Sequence, residues 1–148
     1  MSLSGALGAL AAGLGLLLVA APSARGQAES DAEWTVLTVA HNGAWGLSTA
    51  RSQGEAIAGA LRQCQSRSPD PGDCGAELVA YRIGWGLAIL CGDHRIVVSA
   101  DDLAGAETAA YERIAALKQS YASGLPPCRR LVTVDPAGAV TTVKAPDG

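Results

Sequence analysis

Phenylalanine is absent from the 148 residues, and aromatic residues amount to only 4%. A core made without Phe has to be assembled from Ala, Val, Leu and Ile around Trp34, Trp45 and Trp85, so it should be rich in small side chains and tightly spaced. Charge is scarce as well: 11 Lys+Arg face 14 Asp+Glu, and charged residues make up 17% of the chain. That balance lacks a Lys/Arg cluster to neutralise phosphates, which argues against DNA or RNA as a partner. It is also too weakly charged for a disordered acidic tail. The first cysteine is Cys64, which excludes a lipid anchor on an N-terminal cysteine. Beyond the first thirty residues no apolar run approaches the ~20 residues of a membrane-spanning helix.

What the sequence does have begins at its start. Residues 3–21 are almost wholly apolar, with Leu14, Leu16, Leu17, Leu18 and Val19 at their centre, and small residues follow up to Gly26. This is the layout of a secretory signal peptide over residues 1–26, although no Lys or Arg precedes the apolar core. An uncleaved membrane anchor is the rival reading, weakened by Gly5, Gly8, Gly13 and Gly15 and by the short span. The expected organisation is then a flexible segment at 27–33, one domain at 34–143 and a flexible tail at 144–148. About 120 residues remain after cleavage, enough for one modest core.

The domain reads as one unit written twice. Residues 34–40 are β-rich, Asn42-Gly43 has the composition of a two-residue type I′ turn, and residues 44–49 form the returning strand. Ser52 and Glu55 make a capping box for a helix that carries Ala56, Ile57, Ala60, Leu61 and Cys64 on one face. A Pro/Gly/Asp loop and a strand at 76–82 complete the first pass. The second begins at Trp85, with a strand to Cys91, a turn at Gly92-Asp93-His94 and a strand at 95–100. Asp101 or Asp102 then caps a helix with Ala106, Ala110, Ile114, Leu117 and Tyr121 on one stripe. A strand at 128–134 and an edge strand at 139–143 follow. A shift of 51 places superposes Trp34 on Trp85, Ser48 on Ser99 and Gly54 on Gly105. The expected fold is a two-layer α+β domain, an antiparallel sheet with both helices on one face and an internal ββαβ duplication.

Cys64, Cys74, Cys91 and Cys128 contain no Cys-x-x-Cys pair, and His41 and His94 lie apart, so no metal site is expected. In an oxidising compartment the four allow three pairings. Cys64 with Cys74 ties the end of the first helix to the next strand, leaving Cys91 with Cys128. Cys74 with Cys91 is the second choice.

The run Ala44-Trp45-Gly46-Leu47-Ser48, followed by Glu55-Ala56, Ala60-Leu61, Cys64 and Asp73-Cys74, resembles a secreted bacterial family, the domain of unknown function 4189 family. Its pattern is a Trp-Gly-x-Ser strand, an Ala-rich helix ending in Cys, and an Asp-Cys pair opening the next strand. A Gly-Ala-x-Ala-like strand comes next, for which Gly86-Leu87-Ala88 stands in. The likeness covers residues 34–88 and fades beyond. The family's usual Cys before that strand is replaced by Gly84 or Trp85, with Cys91 further on. The resemblance implies export, a small α+β domain and bridged cysteines, and it implies no reaction.

Chemistry is thinly represented. No Gly-x-Ser-x-Gly elbow occurs, and Gly84-Trp85-Gly86 has neither the helix start nor the Lys of a phosphate cradle. His41 and His94 read as turn residues, and Asp101 and Asp102 as helix-start acids. The candidate binding residues are Trp45 and Trp85, with Arg82 and Arg95 as rim cations and Arg129 and Arg130 nearby. The leading expectation is a secreted or periplasmic, disulfide-stabilised, non-enzymatic domain that binds a protein or cell-envelope partner without a cofactor. Contact with a membrane is expected only through an uncleaved leader. Two alternatives stand beside it: a secreted hydrolase using His94 or the Asp101/Asp102 pair, and a structural envelope protein.

Overall fold

A computed structural model describes residues 32–121 and 124–143. The leader expected at 1–26, residues 27–31 and the tail at 144–148 lie outside the described residues. The strands are β1 (Trp34–Val39), β2 (Trp45–Ala50), β3 (Leu78–Tyr81), β4 (Trp85–Cys91), β5 (His94–Ala100), β6 (Cys128–Val134) and β7 (Val140–Thr142). The helices are α1 (Gln53–Gln65) and α2 (Leu103–Ser120), and Pro71–Asp73 forms one 3-10 turn. The α+β class with antiparallel strands and two helices is as expected.

The strands are divided between two sheets, of order β2-β1-β3 and β5-β4-β6-β7. In the first, Val39 lies opposite Trp45, and Leu37 lies between Leu47 and Val79. In the second, Cys91 lies opposite both His94 and Cys128. Each unit therefore runs strand, strand, helix, strand, with its first strand central.

One helix covers the outer face of each sheet, and the two inner faces pack on each other. Ala56 and Ala60 of α1 bury Val36. Ala106, Ala110 and Ile114 of α2 bury Leu87, Ile89, Ile96 and Val98. Between the sheets, Leu37 and Val39 meet Ala88, Leu90, Val97, Val132 and Val134. Each unit is thus a helix on one face of a sheet, and the second face is used to join the units. The central strands dictate this. β1 and β4 are buried at nearly every residue, so side chains on both of their faces need cover. A sheet with helices on one face alone leaves the other alternate residues in water.

No aromatic side chain is among the fully buried residues. Each Trp sits half-buried at the margin of a different layer: Trp34 beside α1, Trp45 at the sheet–sheet core, and Trp85 under α2. Small residues set the spacing. A Cβ on Gly46 would run into the Ala60 carbonyl oxygen and lie 2.7 Å from Cys64 N, so α1 rests on β2 only because that position is glycine.

Caps fall where the sequence puts them. Ser52 Oγ accepts from Glu55 N at 3.3 Å, and Asp102 Oδ1 accepts from Gly105 N at 2.6 Å. The Glu55 carboxylate meets the Ser52 hydroxyl rather than the Ser52 backbone N–H of an ideal capping box.

The β1–β2 connection departs from the type I′ expectation. Gly43 alone has positive φ, at 87°, while Asn42 does not. Ala40 and Ala44 close a three-residue loop. The Asn42 amide explains the choice, because Oδ1 accepts from Ala44 N at 2.9 Å and Nδ2 donates to Ser68 Oγ at 2.8 Å.

Cys64 is bonded to Cys74 and Cys91 to Cys128, so no thiol is free. The first bridge closes α1 onto the 3-10 turn. The second joins directly opposed residues of β4 and β6.

Candidate functional site

The β1–β2 loop, the β4–β5 turn and the start of β6 lie at one end of the sandwich, since a Cβ on Gly43 would meet Arg129, Leu90 and Leu131. There the Asp73 carboxylate gathers three donors. Arg95 of β5 reaches Oδ1 through its Nη1. The backbone N–H of His41 donates to Oδ2, and His41 Nδ1 lies 2.6 Å from the same oxygen. Burial alone would raise the Asp73 carboxyl. The His41 N–H, then the Arg95 and His41 side chains, outweigh it and bring it from 3.8 down to about 2. Asp73 is held in place by the 3-10 turn and by the bonded Cys74 that follows it.

Arg129 continues this end. Leu90 lies opposite Arg95 on one side and Arg129 on the other, so both arginines occupy one row of the second sheet. A Cβ on Gly43 would lie 2.9 Å from Arg129 Nη2, which places the β1–β2 loop directly over that guanidinium. Trp45 stands at the start of β2, beside this loop. Arg67 stacks on its ring at 4.4 Å and donates from Nη1 to the Trp45 carbonyl at 3.0 Å. The contact is a cation–π pair with an anchored guanidinium.

The four candidate binding residues separate into two groups. Trp45 and Arg95 lie at the loop end just described. Trp85 and Arg82 lie at the opposite end, where Arg82 stacks over Trp34 at 4.8 Å and Trp85 pairs with Ala100. At that end the Tyr81 hydroxyl is buried against Gly86 and has no hydrogen-bond partner among the described residues. Burial, and then the charge of Asp135, push this phenol up to about 12.

The residues considered for hydrolysis stand apart. His94 opens β5 and Asp101 and Asp102 follow its end, a separation of roughly 20 Å along a seven-residue strand. His94 packs on the Tyr121 ring at 4.4 Å and lies 3.5 Å from Asp93. Asp102 is committed to the α2 cap. Among the described residues, no group of three or more His, Cys, Asp or Glu side chains is placed to hold a metal ion.

Sequence reasoning missed the His41–Asp73 pairing. Its one local signal is the Asp-Cys pair, since a bonded Cys74 fixes the backbone that presents Asp73. No family model matches the chain, and neither a curated protein nor a solved structure is matched.

Proposed function

We propose that this chain is an exported module that acts by binding a protein or cell-envelope partner through its loop end, and that it catalyses no reaction. The observation that carries the reading is Trp45. It is a half-buried tryptophan at the rim of the core, with Arg67 anchored on its face and Arg95, Arg129 and His41 on the neighbouring strands and loop. Trp and Arg held rigid at a surface lose little entropy on association, which is why they dominate binding hot spots. Two disulfides in a domain of this size support an oxidising compartment such as the periplasm or the cell exterior. Among the described residues, no helix is long and apolar enough to cross a membrane. Kinship with the domain of unknown function 4189 family belongs to the same proposal. So does an internal duplication, which the shared strand order of the two units supports.

The test is recovery of a stoichiometric partner from the producing cell's envelope and medium, using the chain from Gln27. Arg67→Glu should abolish recovery, while Arg51→Glu on the exposed stretch before α1 should not. If the unaltered chain recovers nothing, a structural role is the better account. Equal recovery by Arg67→Glu would remove the loop end from the proposal.

A further inference from the structure

Among the described residues, β7 is the strand left exposed along its whole length. Trp45 and Leu47 of β2 pack against the inter-sheet core to which Val132 and Val134 of β6 belong, and no residue of β7 is part of that core. β7 projects beyond it. All three of its residues are exposed, Val140 to 40%, and the adjoining Val143 is exposed to 54%.

The ladder fixes which backbone groups point outward. Asp135 N donates to Ala139 O at 3.0 Å, and Val143 N donates to Leu131 O at 3.4 Å. Thr133 lies opposite Thr141 between them. Antiparallel pairing alternates, so residues 139, 141 and 143 bond inward to β6. Val140 and Thr142 therefore turn their N–H and C=O away from the sheet.

The edge of the other sheet is treated differently. On β2 the outward Trp45 carbonyl accepts from Arg67, and the outward Leu47 N–H donates to Gln63 Oε1 at 2.6 Å. Side chains of and just beyond α1 thus cap that edge. No such cap meets Val140 or Thr142 among the described residues. Residues 137–143 also carry none of the charges that usually shield an exposed edge.

We propose that β7 is a dimerisation edge, on which a second copy of this chain pairs its own β7 antiparallel about a twofold axis at Thr141. Val140 of each copy then lies opposite Thr142 of the other. Four backbone hydrogen bonds form, and the two four-stranded sheets become one of eight strands. A second copy fits better than a foreign strand for two reasons. The two outward residues are exchanged by the same twofold that antiparallel pairing creates. The segment offers neither charge nor side-chain pocket with which to select another sequence, and it sets up no repulsion between copies. The contact is short, so the dimer should be reversible and concentration-dependent.

Sedimentation of the purified protein over a wide concentration range should show a monomer–dimer equilibrium. Thr142→Pro removes an outward N–H from each copy and should weaken association by about tenfold or more. Thr141 sits on the axis, with the two Cβ atoms roughly 5 Å apart, so Thr141→Cys should give a disulfide-linked dimer on oxidation. Val143→Cys should not, because its opposite residue is Ala139. Circular dichroism of each variant separates loss of pairing from loss of folding. A monomer at every concentration overturns the proposal. A dimer indifferent to Thr142→Pro, equal cross-linking by the two Cys variants, or occupation of β7 by another protein overturns it equally.

Discussion

Asp73 accepts from Arg95 across the boundary between the two helix–sheet units. The carboxylate belongs to the last residue of the α1 unit's 3-10 turn, while the guanidinium belongs to β5 of the other sheet. His41 adds its backbone and side-chain donors from the β1–β2 loop. One carboxylate therefore fastens three segments that are distant in sequence.

This arrangement sets an acid limit. The Asp73 carboxyl is depressed from 3.8 to about 2 in the folded protein. A depressed folded value means the unfolded chain takes up the proton first, so stability falls as pH falls. The contribution is fully present above about pH 4 and is lost as pH drops through about 2. Asp73→Asn should destabilise by about 1.5–3 kcal/mol at neutral pH. The gap between the unaltered protein and the variant should close between pH 4 and 2, read as urea midpoints at each pH. A constant gap across that window would sink the assignment.

Two glycines, Gly46 at the α1–β2 contact and Gly54 on the open side of α1, should respond in opposite directions. Gly46 has Ala60 and Cys64 backbone atoms where a Cβ would go, and backbone cannot yield as a side-chain tip can. Gly46→Ala should cost about 3 kcal/mol or more. Gly54 lies in the first turn of α1 with nothing within 4 Å of its added Cβ. Gly54→Ala should stabilise by about 0.5 kcal/mol. Thermal unfolding of both variants checks the pair, and similar shifts would show that α1 does not rest on β2 as described.

The local grammar was readable, and the assembly was not. β4 and β6 run over the residues their patterns mark, and Ser52 and Asp102 cap the two helices. Those features depend on neighbours a few residues apart. The division into two sheets depends on which faces of β1 and β4 meet, for which the sequence has only a weak sign: both strands are apolar on both faces. The His41–Asp73 pair spans 32 residues, and the Asp73–Arg95 pair 22, with no periodic signal between them. Asn42-Gly43 looked like a two-residue turn until the Asn42 amide found Ser68. The tryptophans were identifiable as rare and large, but their places at the margins follow from small residues filling the interior.

The two disulfides should differ in what they contribute. Cys64–Cys74 closes a separation of 10 residues and Cys91–Cys128 one of 37. On the chain-entropy account, the first stabilises by about 3 kcal/mol and the second by about 4. Replacing Cys91 and Cys128 together by Ala should therefore cost about 1 kcal/mol more than replacing Cys64 and Cys74. Urea unfolding of the two double variants gives the comparison. Cys64 and Cys91 are both fully buried, so a larger loss from the shorter loop would mean that packing around the Cys64–Cys74 bridge outweighs loop closure.

Among the described residues, Tyr81 is the position where removing a polar group should help. Its hydroxyl is buried against Gly86 with no partner among the described residues. Burying a hydroxyl without a hydrogen bond costs about 1–3 kcal/mol, so Tyr81→Phe should stabilise by about 1 kcal/mol at neutral pH. The alkaline side gives an independent readout. Burial, then the charge of Asp135, raise this phenol from 10.0 to about 12. The unfolded chain therefore loses its proton first, and stability should fall as pH rises from 10 toward 12. Tyr81→Phe should remove that part of the decline, leaving Tyr111 and Tyr121 unaltered. A variant that is less stable at pH 7 would mean that the hydroxyl has a partner, such as a bound water, that holds the two sheets together.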